Sequence, residues 1–462
     1  MKDYKLIVIG AGPGGYVAAE QAARLLDGPV AVVERSQLGG ICLNWGCIPT
    51  KALLKSAQAL HYAQSASEYG FSASEVKPDI ESIVARSRAV SGQLSKGVEH
   101  LLTKAGVEII YGEGFLEGEG VVKVTSAADG SVERIHAEHI IVATGSRPNA
   151  LPFAPIDGEK IICYYQALMP RRIPASIAII GSGAIGSEFA FFYRSMGSEV
   201  TLIEYVDRVL PVEDDDTSAA VSRAMRKMGI KVMTSAGVQS VDTSGEACVL
   251  SVQTKKGLET VEAEIVLSAA GVKPNTDMIG LEEIGVELVR GKVKVDEWYR
   301  SSVPGVYAIG DIVPGPALAH VSSAEAICCV RHIAGAEVAP VDYGNIPGCT
   351  YISPEVASVG MTERAAKEAG IDYRVGKVYF LSSGKAVAAG QKDGFVKLIV
   401  DASTRRILGA HLVGDNVTEI IAGIVAARAA GATVDTLAWA VSPHPTMSES
   451  VSEAARQIID NL

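Results

Sequence analysis

Two thiols are the most reactive pair of groups that this chain sets close together. Cys42 and Cys47 lie on the segment Gly39-Gly40-Ile41-Cys42-Leu43-Asn44-Trp45-Gly46-Cys47-Ile48-Pro49-Thr50-Lys51. Glycine ahead of a proline marks a helix start, and the spacing predicts a helix after Pro49 carrying Ala52, Leu53, Leu54, Ala57 and Leu60. A cysteine near a helix start lies in a field that favours thiolate, the form that attacks disulfides. The pair is therefore either a redox switch that closes and opens, or two small apolar side chains packed into a core. This spacing is less telling than C-x-x-C, so the neighbours must decide.

The elements around the pair read as nucleotide-binding machinery. Lys5 to Ile9 is a short apolar strand, followed by Gly10-Ala11-Gly12-Pro13-Gly14-Gly15, an alanine-rich helix, and a second strand, Val30 to Val33, that ends on Glu34. Such a series binds a dinucleotide: Gly10, Gly12 and Gly15 let the backbone approach a pyrophosphate at the helix start, and Glu34 accepts a ribose hydroxyl. The series then recurs as Ile177 to Ile180, Gly181-Ser182-Gly183-Ala184-Ile185-Gly186, a helix, and Val200 to Ile203 ending on Glu204. Each copy closes on a strand and a glycine turn, Ile140 to Asn149 in the first and Val266 to Asn275 in the second. The first copy is the longer, and much of the excess is the cysteine segment with the helical stretch Lys51 to Leu102 behind it.

Beyond Pro274, the run Val306 to Ile309 ending at Gly310-Asp311 reads as the chain returning to the first copy. From about Gly344 alternating runs and alanine-rich helices predict an α+β domain. The expected fold class is α/β, with two Rossmann-like dinucleotide-binding domains plus a C-terminal α+β domain. The expected boundaries are 1–149, 150–275, 276–343 and 344–462.

Bulk properties exclude other classes. A chain of 462 residues with 48% hydrophobic and 21% charged residues reads as globular and of several domains, and its net charge of −11 offers no field for nucleic acid or anionic lipid. No apolar stretch reaches membrane-spanning length, no signal peptide is visible, and seven scattered cysteines do not make a secreted disulfide framework. A reducing cytoplasm is the expected location. Cys328-Cys329 lie on the apolar face of an expected helix, Cys163, Cys248 and Cys349 lack partner spacing, and Glu213-Asp214-Asp215-Asp216 before Thr217 reads as a solvated helix start rather than a metal site.

A thiolate cannot pass a hydride straight to nicotinamide. A flavin can bridge the two, so two dinucleotide domains and one dithiol are the parts such a relay requires. The copy that contains the cysteines should hold FAD and the second NAD, with Glu204 accepting the 2′-hydroxyl and repelling a 2′-phosphate; Arg208 nearby tempers that preference. Along nearly its whole length the chain resembles the pyridine nucleotide-disulfide oxidoreductases, through the two glycine fingerprints, Gly39 to Lys51, Ala143-Thr144-Gly145, Ala308 to Asp311, Pro354 to Gly360 and His444-Pro445-Thr446 with Glu449.

The resemblance implies an FAD- and NAD-dependent enzyme of the kind that oxidises protein-bound dihydrolipoamide, working as a homodimer. Its partner would be a lipoyl domain of a 2-oxoacid dehydrogenase complex or of the glycine cleavage system. It makes Cys42 the outer thiol that exchanges with substrate and Cys47 the inner one facing the flavin, His444 the base and Glu449 its orienting acid. It also implies an ion pair of Lys51 with Glu188 near the flavin. Gly114, Thr144, Gly145, Asp311 and the stretch Ala317, Leu318, Ala319, His320 match FAD-contacting positions, and Val238 and Gly271 match NAD-contacting ones. Trp45 and Ser442-Pro443 depart from the family's pattern, which bears on the substrate channel. The alternatives are a glutathione- or mercuric-reductase-like enzyme, disfavoured by Glu204 and by the absence of a cysteine pair near the tail, and a flavin-bearing subunit whose main task is assembly.

Overall fold

Alternation fixes the first sheet: along Lys2–Ile9, Leu6 and Val8 enter one core while Ile7 and Ile9 enter another. In the computed structural model, which describes residues 1–461, this strand lies between two parallel neighbours, Val30–Glu34 and Val132–Val142. Glu108–Gly118 extends the parallel layer beyond Val30–Glu34, and Val306–Ala308 extends it beyond Val132–Val142. The two long strands run on past the layer and are bridged by Val121–Ser126, antiparallel to both. Two helices, Pro13–Leu25 and Ala319–Ile333, cover the Leu6 face with Ala18, Ala19, Ala22, Ala326 and Val330, and Cys328 and Cys329 are buried in that same core. Each fully buried valine, leucine or isoleucine there contributes about 1.5–3 kcal/mol.

These elements form one of two compact units, Met1–Leu53 with Glu81–Asn149 and Val272–Val341. Within it Ser146–Pro148 pairs antiparallel with Val272–Pro274, so the two glycine-turn segments that match in sequence zip to each other. Arg147 closes the ribbon with both nitrogens on the Asp277 carboxylate, at 2.9 and 2.5 Å.

The other unit comprises Leu54–Ile80, Ala150–Gly271 and the chain from Asp342 on. Ser176–Ile180 is the centre of its parallel sheet, flanked by Glu199–Ile203 and Ile265–Ser268, with Lys231–Met233 and Ile161–Ile162 at the edges. Gly237–Asp242, Cys248–Thr254 and Gly257–Ala263 add an antiparallel meander. The C-terminal part is a five-stranded antiparallel sheet in the order Pro347–Thr350, Glu355–Gly360, Ile407–Gly414, Phe395–Asp401, Tyr373–Tyr379. Helices Val417–Ala429 and Glu449–Ile459 pack on it through Ile421, Ile424, Val451, Ala455 and Ile458. The chain is thus α/β with two nucleotide-type sheets and an α+β end, as the sequence predicts. Among the described residues no helix is long and apolar enough to cross a membrane.

Candidate active site

Cys42 lies in a short helix, Gly40–Trp45, and Cys47 opens the next one, Cys47–Gln64, two residues before Pro49 and earlier than the sequence suggests. Pro49 is thereby placed in the first turn, where a missing N–H leaves no hydrogen bond unmade. Cys42 is half-buried and Cys47 exposed, and their side chains are hydrogen-bonded to each other. That contact, reinforced by burial, holds the Cys42 proton well above the ordinary thiol range, while the Lys51 ammonium pulls the other way. A pair coupled in this way gives up one proton far more readily than two.

Two anchors fix the segment. Towards the first fingerprint, the Gly39 amide donates to the Ala11 carbonyl at 2.8 Å, and a Cβ at Gly40 would lie 2.7 Å from Gly12 Cα, so only glycine permits the approach. Towards the helix Ile80–Lys104, the Ser95 hydroxyl lies 2.7 Å from the Leu38 carbonyl and 2.9 Å from Asn44 Oδ1. The buried Asn44 amide donates back to Leu38 and Gly40 at 2.9 and 3.0 Å. Arg88 donates to the Asn44 carbonyl at 2.6 Å and carries its guanidinium 4.9 Å from the centre of the Trp45 ring. Arg86 and Ser87 bond the carbonyls of Ala52 and Pro49. Sequence reasoning missed Asn44, Arg88 and Ser95; polar residues on an amphipathic helix gave no signal of what they would meet.

The two fingerprints share one geometry. A Cβ at Gly15 would collide with the Gly10 carbonyl oxygen, and one at Gly186 with that of Gly181. Gly12 and Gly183 cap their helices in nearly the same conformation, φ −70°, ψ −176° and φ −64°, ψ −174°, with no side-chain cap. Nothing lies within 4 Å of a Cβ built on either, so the leading amides are open to an anion. Glu34 is held by the amides of Ala11 and Ser36, both at 2.8 Å. Glu204 is held by the Ser182 amide and hydroxyl at 2.8 and 2.7 Å and by the Val206 amide at 3.0 Å. Open amides, close glycines and a fixed carboxylate fit a dinucleotide at both places. Arg208 is engaged by Asp207 and Asp215 at 2.9 and 2.7 Å.

Other expected positions fall as follows. In the first unit, Gly114 packs near Ile9 and Val33, Thr144 exchanges hydrogen bonds with Asn275, and the Gly145 carbonyl accepts the Asn275 amide. Asp311 accepts the Ser146 hydroxyl at 2.6 Å, and Ala317, Leu318, Ala319 and His320 lead into the helix Ala319–Ile333, whose Leu318 cap is also without a side-chain bond. Lys51 lies in the helix that Cys47 opens. In the second unit, buried Glu188 accepts the Tyr351 amide at 2.9 Å, Val238 is buried on Gly237–Asp242, and Gly271 ends the unit's middle segment with φ +86°. His444 Nδ1 lies 2.9 Å from Glu449 Oε1, and the imidazole is 79% exposed. Glu449 opens the helix Glu449–Ile459, and the Thr446 amide first, then His444, hold its carboxyl below the usual range.

The acidic run Glu213 to Asp216 corrects an expectation. A helix, Asp215–Lys227, does begin there and Asp215 is exposed, but Asp214 is not solvated: its side chain and that of Lys397 are 1% and 2% exposed and 2.8 Å apart. Lys397 also reaches Asp216 and Glu363 at 2.9 and 2.5 Å. A lysine inside a sheet needs carboxylates around it, and this acid run supplies two of the three.

A family model of the pyridine nucleotide-disulphide oxidoreductases matches residues 4–326, and a model of that family's dimerisation domain matches residues 346–455. The chain is 45% identical to a dihydrolipoyl dehydrogenase of Rhizobium etli over 98% of this chain and 97% of that one. It is 44% identical to a dihydrolipoyl dehydrogenase of Chlorobaculum tepidum over 100% and 98%. Its fold matches the solved structure of LpdA from Mycobacterium tuberculosis with a TM-score of 0.92, at 29% identity over 99% of each chain.

Proposed function

The chain belongs to the pyridine nucleotide-disulphide oxidoreductase family, and from that premise we infer that it works as a dihydrolipoyl dehydrogenase: it oxidises dihydrolipoamide to lipoamide and reduces NAD⁺ to NADH. The observation that carries the reading is the mutual hydrogen bond of Cys42 and Cys47 on a segment bonded to the first fingerprint loop. Bound FAD supplies the two-electron chemistry that lets a dithiol communicate with a nicotinamide.

In the oxidised state a substrate thiolate attacks the sulfur of Cys42, and Cys47 leaves as thiolate; the second substrate thiol then displaces Cys42, so that lipoamide forms and the enzyme holds a dithiol. His444 takes the substrate proton, with Glu449 fixing the ring through Nδ1. Lys51 favours the anionic form of the pair. The fingerprint at Gly10, Gly12 and Gly15 with Glu34 binds the FAD pyrophosphate and ribose, and Asp311, Gly114, Thr144, Gly145 and the helix start at Ala317 to His320 complete its surroundings. Gly181, Gly183, Gly186, Glu188, Glu204, Val238 and Gly271 bind NAD. The dimerisation domain supports a homodimer in which His444 serves the partner's dithiol. The electron donor is the lipoyl domain of a 2-oxoacid dehydrogenase complex or of the glycine cleavage system, in the cytoplasm.

The test is anaerobic mixing with dihydrolipoamide and then NAD⁺. Wild type should release NADH at enzyme-like rates, above about 1 per second, and Cys47→Ser should release none. An active Cys47→Ser protein, or faster turnover with glutathione than with dihydrolipoamide, would sink this reading.

A further inference from the structure

The loop that follows the second fingerprint's acid is strained. Leu210 has φ +46°, a left-handed conformation that a branched, non-glycine residue rarely adopts, and it is buried. Its amide donates to the Ser182 carbonyl at 3.0 Å, inside the fingerprint turn, and its own carbonyl accepts the Glu213 amide at 2.9 Å. Leu210 is thus tied to the nucleotide loop at one end and to Glu213 at the other.

Glu213 in turn rests on a polar row that crosses the C-terminal sheet. Ser358, His411 and Lys397 lie directly opposite one another on three adjacent strands. The Ser358 hydroxyl donates to Glu213 Oε1 at 3.1 Å, while Glu213 Oε2 and His411 Nδ1 are buried with no hydrogen-bond partner. The charged or titratable groups around the row are Asp214 and Asp216 at the helix start, Lys397 and His411 on the sheet, Lys377 and Tyr373 on the adjacent strand Tyr373–Tyr379, Glu363 on Glu363–Glu368 and Arg428 on Val417–Ala429. Lys397, the row's cation, is engaged by three carboxylates other than Glu213.

We propose that Glu213 is a positioning residue for the nicotinamide dinucleotide: while neutral it seats the Leu210 turn against Ser182, and loss of its proton releases that seat and weakens binding. The proposal rests on reading Gly181 to Glu204 as the NAD site. A neutral carboxyl tolerates an unpaired buried oxygen far better than a carboxylate does, and burial pushes this one up to about 7, within reach of ordinary pH change.

Equilibrium dialysis of NAD⁺ against the FAD-loaded protein tests it, from about pH 5.5 to about pH 8.5. Wild-type affinity should fall across that range by about fivefold, a typical coupling between linked sites, whereas Glu213→Gln should bind tightly and uniformly. Ser358→Ala removes the one bond that favours the carboxylate, so its profile should move to higher pH and serves also should Glu213→Gln fold poorly. Reduction of the flavin by dihydrolipoamide should be the same in all three. Parallel profiles for wild type and both variants overturn the proposal alone. No NAD⁺ binding at any pH overturns the NAD-site reading and the proposal with it.

Discussion

The first and second fingerprints are nearly the same object in backbone and hydrogen bonds, yet each is fastened to something different. Gly10 and Gly181 have φ +99° and +101°, and Glu34 and Glu204 make matching bonds to the loop beside them. Behind the first loop stands the dithiol segment, joined through Gly39 to Ala11 and pressed against Gly12. Behind the second stands a strained turn that leads to a buried lysine–carboxylate pair, Lys397 with Asp214. The two cradles match, and what differs is what is docked on each.

Single substitutions should separate the two halves of this comparison, and the largest effects belong to the glycines. Gly15→Ala and Gly186→Ala each force a Cβ into a backbone carbonyl oxygen, a clash that only movement of the fingerprint loop relieves, so each should abolish binding at its own loop. Gly15→Ala should purify with little flavin by visible absorbance. Gly186→Ala should stay yellow and still accept electrons from dihydrolipoamide while failing to bind NAD⁺. If both lose flavin, the division of labour between the copies is wrong.

Lys397→Met comes next. It leaves Asp214 charged and buried without its partner, for a loss of about 3–5 kcal/mol in urea unfolding. Adding Asp214→Asn should return part of that loss, and strict additivity of the two would show that the pair is not coupled.

The pH dependence of stability follows. Glu213 binds its proton more tightly in the folded state, near pH 7, than in the unfolded chain, near 4.5. Its neutral burial is therefore fully compatible with folding below pH 4.5, and stability is progressively lost as pH rises from 4.5 to 7, by on the order of 2–3 kcal/mol. Glu213→Gln should flatten that slope in denaturation curves taken across the same window.

The smallest effect is expected at the clamp on the first loop. Arg88→Ala removes a charged donor and a stacked cation, about 1–3 kcal/mol together. The dithiol's reduction potential should shift while NAD⁺ affinity stays put; an unchanged potential would mean that Arg88 does not set the segment's geometry.

Local spacing carried most of the nucleotide-binding architecture. Gly10 to Glu34 and Gly181 to Glu204 are each continuous stretches, and the chemistry of a helix start is written in neighbours along the chain. The matching segments Ile140 to Asn149 and Val266 to Asn275 could be paired by eye, although their zipping to each other could not. What escaped reading depended on partners far along the chain. Arg88 finds Asn44 across 44 residues and Lys397 finds Asp214 across 183, and nothing near either residue announces a partner. The expectation of a solvated acidic run failed at Asp214 for this reason: charge adjacent to a helix start looks the same in sequence whether water or a buried lysine faces it. The early start of the Cys47 helix escaped for a subtler one, since proline marks a first turn without fixing which of its positions it occupies.

The small ribbon of Ser146–Pro148 and Val272–Pro274 has an evolutionary corollary. The chain leaves the first unit and comes back to it through two segments that lie side by side, latched by Arg147 and Asp277, so the two ends of the intervening stretch are held together. A lineage can rewrite the stretch between those ends while the strand order of the sheet outside it goes undisturbed.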